Sequence, residues 1–171
     1  MPDYRIRPAT AGDVEVLVHH RVAMFSDMET PMDADAMALS FREWVSRMLV
    51  SGTYRGWLVE TSTGEVAAGG GITILPWPPG PQFMGDRLAF VYNVYTEPPH
   101  RRRGVARLVM EAIHAWCRAE GIGIAALNSS PEGQPLYESL GYRVRSNPMM
   151  TLLIGDAPLA PSPQSPIPSK V

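Results

Sequence analysis

An apolar run at residues 88–96 leads through Glu97-Pro98-Pro99 and Arg101-Arg102-Arg103-Gly104 into a stretch whose apolar side chains recur at helical spacing. Val105, Leu108, Val109, Ala112, Ile113 and Trp116 form one continuous stripe, Gly121 ends it, and residues 122–127 turn apolar again. A strand, a one-faced helix and a second strand bury those faces together when the helix crosses back over the sheet, which makes the two strands parallel. That unit commits the chain to an α/β or α+β architecture with a mixed sheet.

The remaining elements are read around it. Tyr4-Arg5-Ile6-Arg7 alternates as a short strand. Thr10-Ala11-Gly12-Asp13 is a capping-box variant that opens a helix carrying Val14, Leu17, Val18, Val22 and Phe25. Phe41, Trp44, Val45, Met48 and Leu49 mark a second helix, closing at Ser51-Gly52. Residues 56–60 and 65–75 read as strands joined by a turn at Ser62-Thr63-Gly64, and Gly69-Gly70-Gly71 predicts a bulge or a close backbone approach. Residues 76–86, rich in Pro and Gly, are a loop, and residues 88–96 are the expected central strand. Gln134 to Leu140 is a short helix with Pro135 in its first turn and Gly141 just past its end. Residues 142–153 supply one or two last strands, and residues 155–171 form a Pro/Ser-rich tail expected to be disordered.

Composition narrows the setting. A hydrophobic fraction of 45% and a charged fraction of 19% suit one globular domain, and the net charge of −2 offers nothing to nucleic acid. Lys170 is the sole lysine, so the positive charge is arginine, whose planar fork matches phosphate and carboxylate. One cysteine, Cys117, excludes an internal disulfide, and the absence of an apolar leader or a membrane-length run leads to a cytoplasmic expectation. His19, His20, His100 and His114 show no metal-ligand spacing, so no metal is expected.

The turn Arg101-Arg102-Arg103-Gly104-Val105-Ala106 gains its meaning from its position. A helix N-terminus presents unpaired N–H groups and a positive dipole end, Gly104 lets backbone approach a ligand, and three arginines add charge-assisted hydrogen bonds. A solvated basic cap is the plainer alternative, but the flanking strand and helix favour a pyrophosphate site.

Arg101-x-x-Gly104-x-Ala106 resembles the R/Q-x-x-G-x-G/A motif of the GNAT superfamily of acyl-CoA-dependent N-acetyltransferases. Asn93-Val94-Tyr95-Thr96-Glu97-Pro98 resembles that family's central strand and its exit. Leu136-Tyr137-Glu138-Ser139-Leu140-Gly141-Tyr142 is similar to its "lYexlGF" segment, with Tyr142 where Phe is commoner. The resemblance implies a mixed, mostly antiparallel sheet of six to seven strands flanked by about four helices. A splayed parallel strand pair would hold the cofactor. Residues 1–154 would be a single acetyltransferase domain.

Carried over residue by residue, it places the acetyl-CoA pyrophosphate on Arg101, Arg102, Arg103, Gly104, Val105 and Ala106. The pantetheine arm would run beside Val94, Tyr95 and Thr96, with Asn128, Ser130 and Tyr137 on the facing side. A backbone N–H near Val94 or Tyr95 would stabilise the oxyanion of the tetrahedral intermediate. Tyr137 would be the general acid toward the departing thiolate, and packing against the core is compatible with that role. No carboxylate lies among Phe90, Val91, Tyr92 and Asn93, so the amine would lose its proton through water polarised by Asn93, Tyr92 or a backbone carbonyl.

The acceptor would lie on the first two helices and their linker, with Phe25, Met28, Glu29 and Tyr92 as substrate-binding residues and Trp77 and Phe83 as a second wall. Asp27, Glu29, Asp33 and Asp35, interleaved with Met24, Met28 and Met32, would suit a cationic amine with an apolar body; a solvated loop of helix-capping aspartates suits them equally. The expected partner is a small-molecule amine, with no nucleic acid or membrane, and a homodimer stays open. A non-catalytic acyl-CoA-binding regulatory module and a protein or peptide N-acetyltransferase are the alternatives.

Overall fold

A computed structural model describes residues 3–81 and 83–145. The first element is strand β1 (Arg5–Pro8), followed by helices α1 (Val14–Asp27) and α2 (Ala34–Ser51). Strands β2 (Tyr54–Glu60), β3 (Val66–Pro76) and β4 (Arg87–Thr96) come next, then α3 (Val105–Ala119), β5 (Ala125–Leu127) and α4 (Gln134–Ser139).

The five strands form one sheet in the order β1-β2-β3-β4-β5. β1 to β4 pair antiparallel, and β4 pairs parallel to β5, as the crossover through α3 requires. The expected count of six to seven strands is corrected to five among the described residues. Residues 142–145 take no strand conformation, and the remainder of the anticipated 142–153 strands, with the 155–171 tail, lies outside the described residues. β4 is flanked on both sides, but β3 occupies the middle of the five.

Local chemistry accounts for the helix starts. Thr10 N and Oγ1 both donate to Asp13 Oδ2, at 2.7 and 2.8 Å, closing the capping box ahead of α1. α2 begins earlier than its apolar stripe predicted, because Asp33 accepts from Ala36 N at 3.0 Å and caps it. The capping reading of the linker aspartates thus holds for Asp33.

The sheet buries both faces. Val109, Met110, Ile113 and Cys117 of α3 join Trp57, Val59, Ile72 and Val91 in one cluster. Leu17 and Val18 of α1 and Phe41 and Val45 of α2 join Tyr54 and Leu58 in the other. Trp57 and Leu58 are successive on β2 and enter opposite clusters, as alternation demands.

The glycine run of β3 serves close approach. A Cβ on Gly70 would lie 2.8 Å from Val109 Cγ1, and one on Gly71 would lie 2.2 Å from the Tyr54 hydroxyl oxygen. The bulge sits opposite, on β4: Gly69 and Gly71 pair with Tyr95 and Tyr92, so three β4 steps face two on β3. Asn93, at φ 58°, is left-handed within it.

Candidate functional site

β4 and β5 remain paired only from Ala89–Ala125 to Val91–Leu127. Beyond that point β4 continues to Thr96 while β5 ends at Leu127, so the two chains part where the bulge bends β4. A cleft of about 1560 Å³ opens there. One end reaches the turn before α3, and the other passes between β4 and the first two helices.

At the α3 end, Arg102 (φ 61°) and Gly104 (φ 80°) are both left-handed. Residues of this hand swing neighbouring N–H groups toward one concave side, the geometry of an anion-binding turn. The first bonds of α3 run from Arg107 N and Leu108 N to Gly104 O, which leaves the N–H groups of Val105 and Ala106 ahead of them without a helical partner. A Cβ on Gly104 would meet nothing within 4 Å, so glycine is required there by the backbone angle, and the site in front of it is open.

The three arginines differ in place. Arg102 lines the cleft and Arg103 does not. Arg101 lines it but is engaged: its Nε donates to Thr96 O at 2.9 Å, and its Nη2 donates to Asp27 Oδ2 and, at 3.3 Å, to the Tyr95 hydroxyl. Its side chain ties the turn to β4 and α1 in place of pointing at a ligand. Of the three arginines expected at a phosphate, Arg102 is therefore the one that lines the cleft without being engaged in the Arg101 network.

Val94, Tyr95 and Thr96 line one wall of the cleft, and Asn128, Ser130 and Tyr137 line the facing one. Ser130 Oγ accepts from Gly133 N at 3.1 Å, fixing the turn into α4. Tyr137 sits at the cleft with its ring 5.9 Å from that of Tyr142, edge to face, and its hydroxyl makes no hydrogen bond among the described residues. Burial raises its pKa above the ordinary tyrosine value, so it is a protonated donor at neutral pH.

Of the anticipated acceptor residues, Phe25, Met28 and Tyr92 line the cleft and Glu29 does not. Asp27 lines it but is paired with Arg101. The Pro-rich loop is displaced from the expected wall: Phe83 packs over Gly123, at the paired end of β4 and β5, and neither it nor Trp77 lines the cleft. Asn93 is 3% exposed, and its Oδ1 accepts from Arg21 Nη1 at 2.5 Å. The oxygen of Asn93, one of the groups expected to polarise a water, thus already holds one hydrogen bond.

Arg21 was missed by the sequence reading. It follows Leu17 and precedes Phe25 at four-residue spacing, so its place on the buried stripe of α1 was available as a signal. Trp44 was read as a core position, yet it lines the cleft, where its ring lies 5.7 Å from Tyr54 and 6.2 Å from Tyr92. The Tyr92 hydroxyl bonds Thr73 Oγ1, and burial raises its pKa.

Residues 18–142 match the model of the acetyltransferase (GNAT) family. A GCN5-related N-acetyltransferase from Ralstonia eutropha is 32% identical with a TM-score of 0.78, covering 88% of this chain and 99% of its own. A predicted acetyltransferase from Clostridium acetobutylicum, solved with acetyl-CoA, is 21% identical with a TM-score of 0.80 over 88% and 96% of the two chains. The aminoglycoside N-acetyltransferase AAC(6')-Iy, solved with CoA, is 17% identical with a TM-score of 0.68 over 90% and 96%.

Proposed function

The chain belongs to the acetyltransferase (GNAT) family, and from that premise we propose that it transfers an acetyl group from acetyl-CoA to the primary amine of a small acceptor by direct attack. One observation carries the reading. A single cleft joins the N–H groups at the start of α3, the edge of β4 beyond Val91 and the hydroxyl of Tyr137, all without a hydrogen-bond partner there among the described residues. The acetyl-CoA found in the Clostridium acetobutylicum neighbour supports the choice of donor.

The residues present fit such a donor. Val105 and Ala106 N–H, with Arg102, would bind its diphosphate, and the β4 edge at Val94, Tyr95 and Thr96 would pair with its amide-bearing arm. Bound acetyl-CoA supplies an activated acyl group on a thiol leaving group. The chain's own part is to orient it, to offer backbone N–H near Val94 to the charge that develops on the carbonyl oxygen, and to return a proton from Tyr137 Oη to the departing sulfur. A C–N bond forms, the C–S bond breaks, and the proton lost by the amine leaves through water. With no carboxylate on the bulge and Asn93 Oδ1 bonded to Arg21, that water would be held by backbone carbonyls of β4.

The lone Cys117, buried and unpaired, is consistent with a cytoplasmic setting. Thiol release from acetyl-CoA, measured across a panel of primary amines, tests the reading. Amine-dependent release that falls about a hundredfold in kcat on Tyr137→Phe, with acetyl-CoA affinity retained, is the expected result. Tight acetyl-CoA binding without turnover of any amine would identify a binding module instead.

A further inference from the structure

Arg21 has no part in the steps above, yet it occupies the acceptor end of the cleft. Its guanidinium carbon lies 5.0 Å from the Phe25 ring centroid and 4.9 Å from that of Phe41, a placement among aromatic faces that shields part of it from water. It forms no ion pair with a carboxylate among the described residues, and its one hydrogen bond there is the 2.5 Å donation to Asn93 Oδ1. The remaining N–H donors of the fork have no protein acceptor among the described residues and are open to the cleft. A half-buried cation without an anion is costly, and natural chains retain such a group where something else completes it. Burial pulls its pKa below the usual arginine value, with no carboxylate opposing that shift.

The surroundings define what would complete it. Met24, Phe25, Met37, Phe41 and Trp44 give this end of the cleft apolar and aromatic walls. Asp27, the last residue of α1 and an acidic side chain lining the cleft, is spent on Arg101. That arrangement is poor for a polycation and suited to an anion attached to an apolar body. Asn93 fixes the guanidinium beside the β4 bulge, immediately before Val94, where the acyl carbonyl is proposed to lie.

Resting on the acetyltransferase reading, we infer that Arg21 binds the carboxylate of the acceptor, and that the acceptor is an α-amino acid with an apolar or aromatic side chain. The carboxylate takes the free face of the guanidinium fork, the side chain lies among the methionines and Trp44, and the amine on the adjacent carbon faces the thioester. Its nitrogen forms the new C–N bond as the C–S bond breaks, and the products are the N-acetyl amino acid and CoA with its thiol reprotonated.

The test compares phenylalanine, leucine, methionine and tryptophan with their decarboxylated amines and their carboxamides, by thiol release and by calorimetric titration into CoA-saturated protein. The amino acids are expected to be preferred about 10- to 100-fold, mainly in KM. Arg21→Met removes that preference, and Arg21→Lys restores part of it. Equal use of the decarboxylated amines, a preference that survives Arg21→Met, or no binding and no reaction of any of the amino acids would each overturn the assignment. If Arg21→Met does not fold, the wild-type preference and the Arg21→Lys shift still decide it. Acetylation of the amines without regard to the carboxyl group would remove this inference and leave the acetyltransferase reading standing, whereas absence of acetyl-CoA binding would remove that reading itself.

Discussion

Burial raises the pKa of Tyr137, and this fixes how its proposed role depends on pH. A donor must be protonated, so kcat is expected to hold through neutrality and fall only above the ordinary tyrosine value of about 10. A falling limb that persists unchanged in the Tyr137→Phe variant would contradict the assignment. His20 makes a separate prediction about stability. Desolvation, reinforced by the neighbouring His19, depresses its pKa to about 4. The unfolded chain therefore binds the extra proton first, and the stability present above pH 6.5 is lost as pH falls toward 4. Urea titrations are expected to show about 2 kcal/mol less stability at pH 5 than at pH 7 from this group. His20→Gln removes that increment; an unchanged slope would mean that Glu97, 3.4 Å from Nε2, sustains the protonated ring. Residues of this kind were the least legible in the sequence. Arg21 and His20 are polar side chains on a helix whose exposed face is also polar, and only the tertiary fold says which of them turns inward.

At the scale of elements, the turn into α3 was legible because its chemistry is local: a glycine, a helix start and a strand before it. What remained hidden was the reason for the glycine. The space around a Cβ at Gly104 is open, so φ 80° and not crowding excludes other residues. Gly104→Ala is accordingly expected to cost about 1–2 kcal/mol of folding stability and to weaken acetyl-CoA binding. Gly104→Asn, larger but tolerant of the left-handed region, is expected to cost less than alanine in both measurements. The reverse order would point to steric exclusion. For the glycine run of β3, close approach, one of the two readings that it allowed, is what the contacts bear out. Those glycines admit Tyr54, Val109 and Val94, while the extra residue lies on β4 at a non-glycine, Asn93, which carries no sequence mark.

At the scale of the molecule, periodicity was sufficient to place both helical layers and the parallel pair, since each depends on which face of an element is apolar. The direction of the 76–86 loop was not legible, because Trp77 and Phe83 suit any apolar surface within reach and Phe83 found Gly123 at the paired end of β4 and β5. The whole arrangement serves one end: β4 and β5 part, and α3 points its unpaired amides into the gap. Calorimetric titration of the protein with acetyl-CoA and, in parallel, with acetyl-pantetheine, which lacks the diphosphate, tests this most directly. One acetyl-CoA per chain is expected to bind, with acetyl-pantetheine weaker by at least about tenfold and Gly104→Ala narrowing that difference. No heat with acetyl-CoA, or equal affinity for the two thioesters, would contradict it.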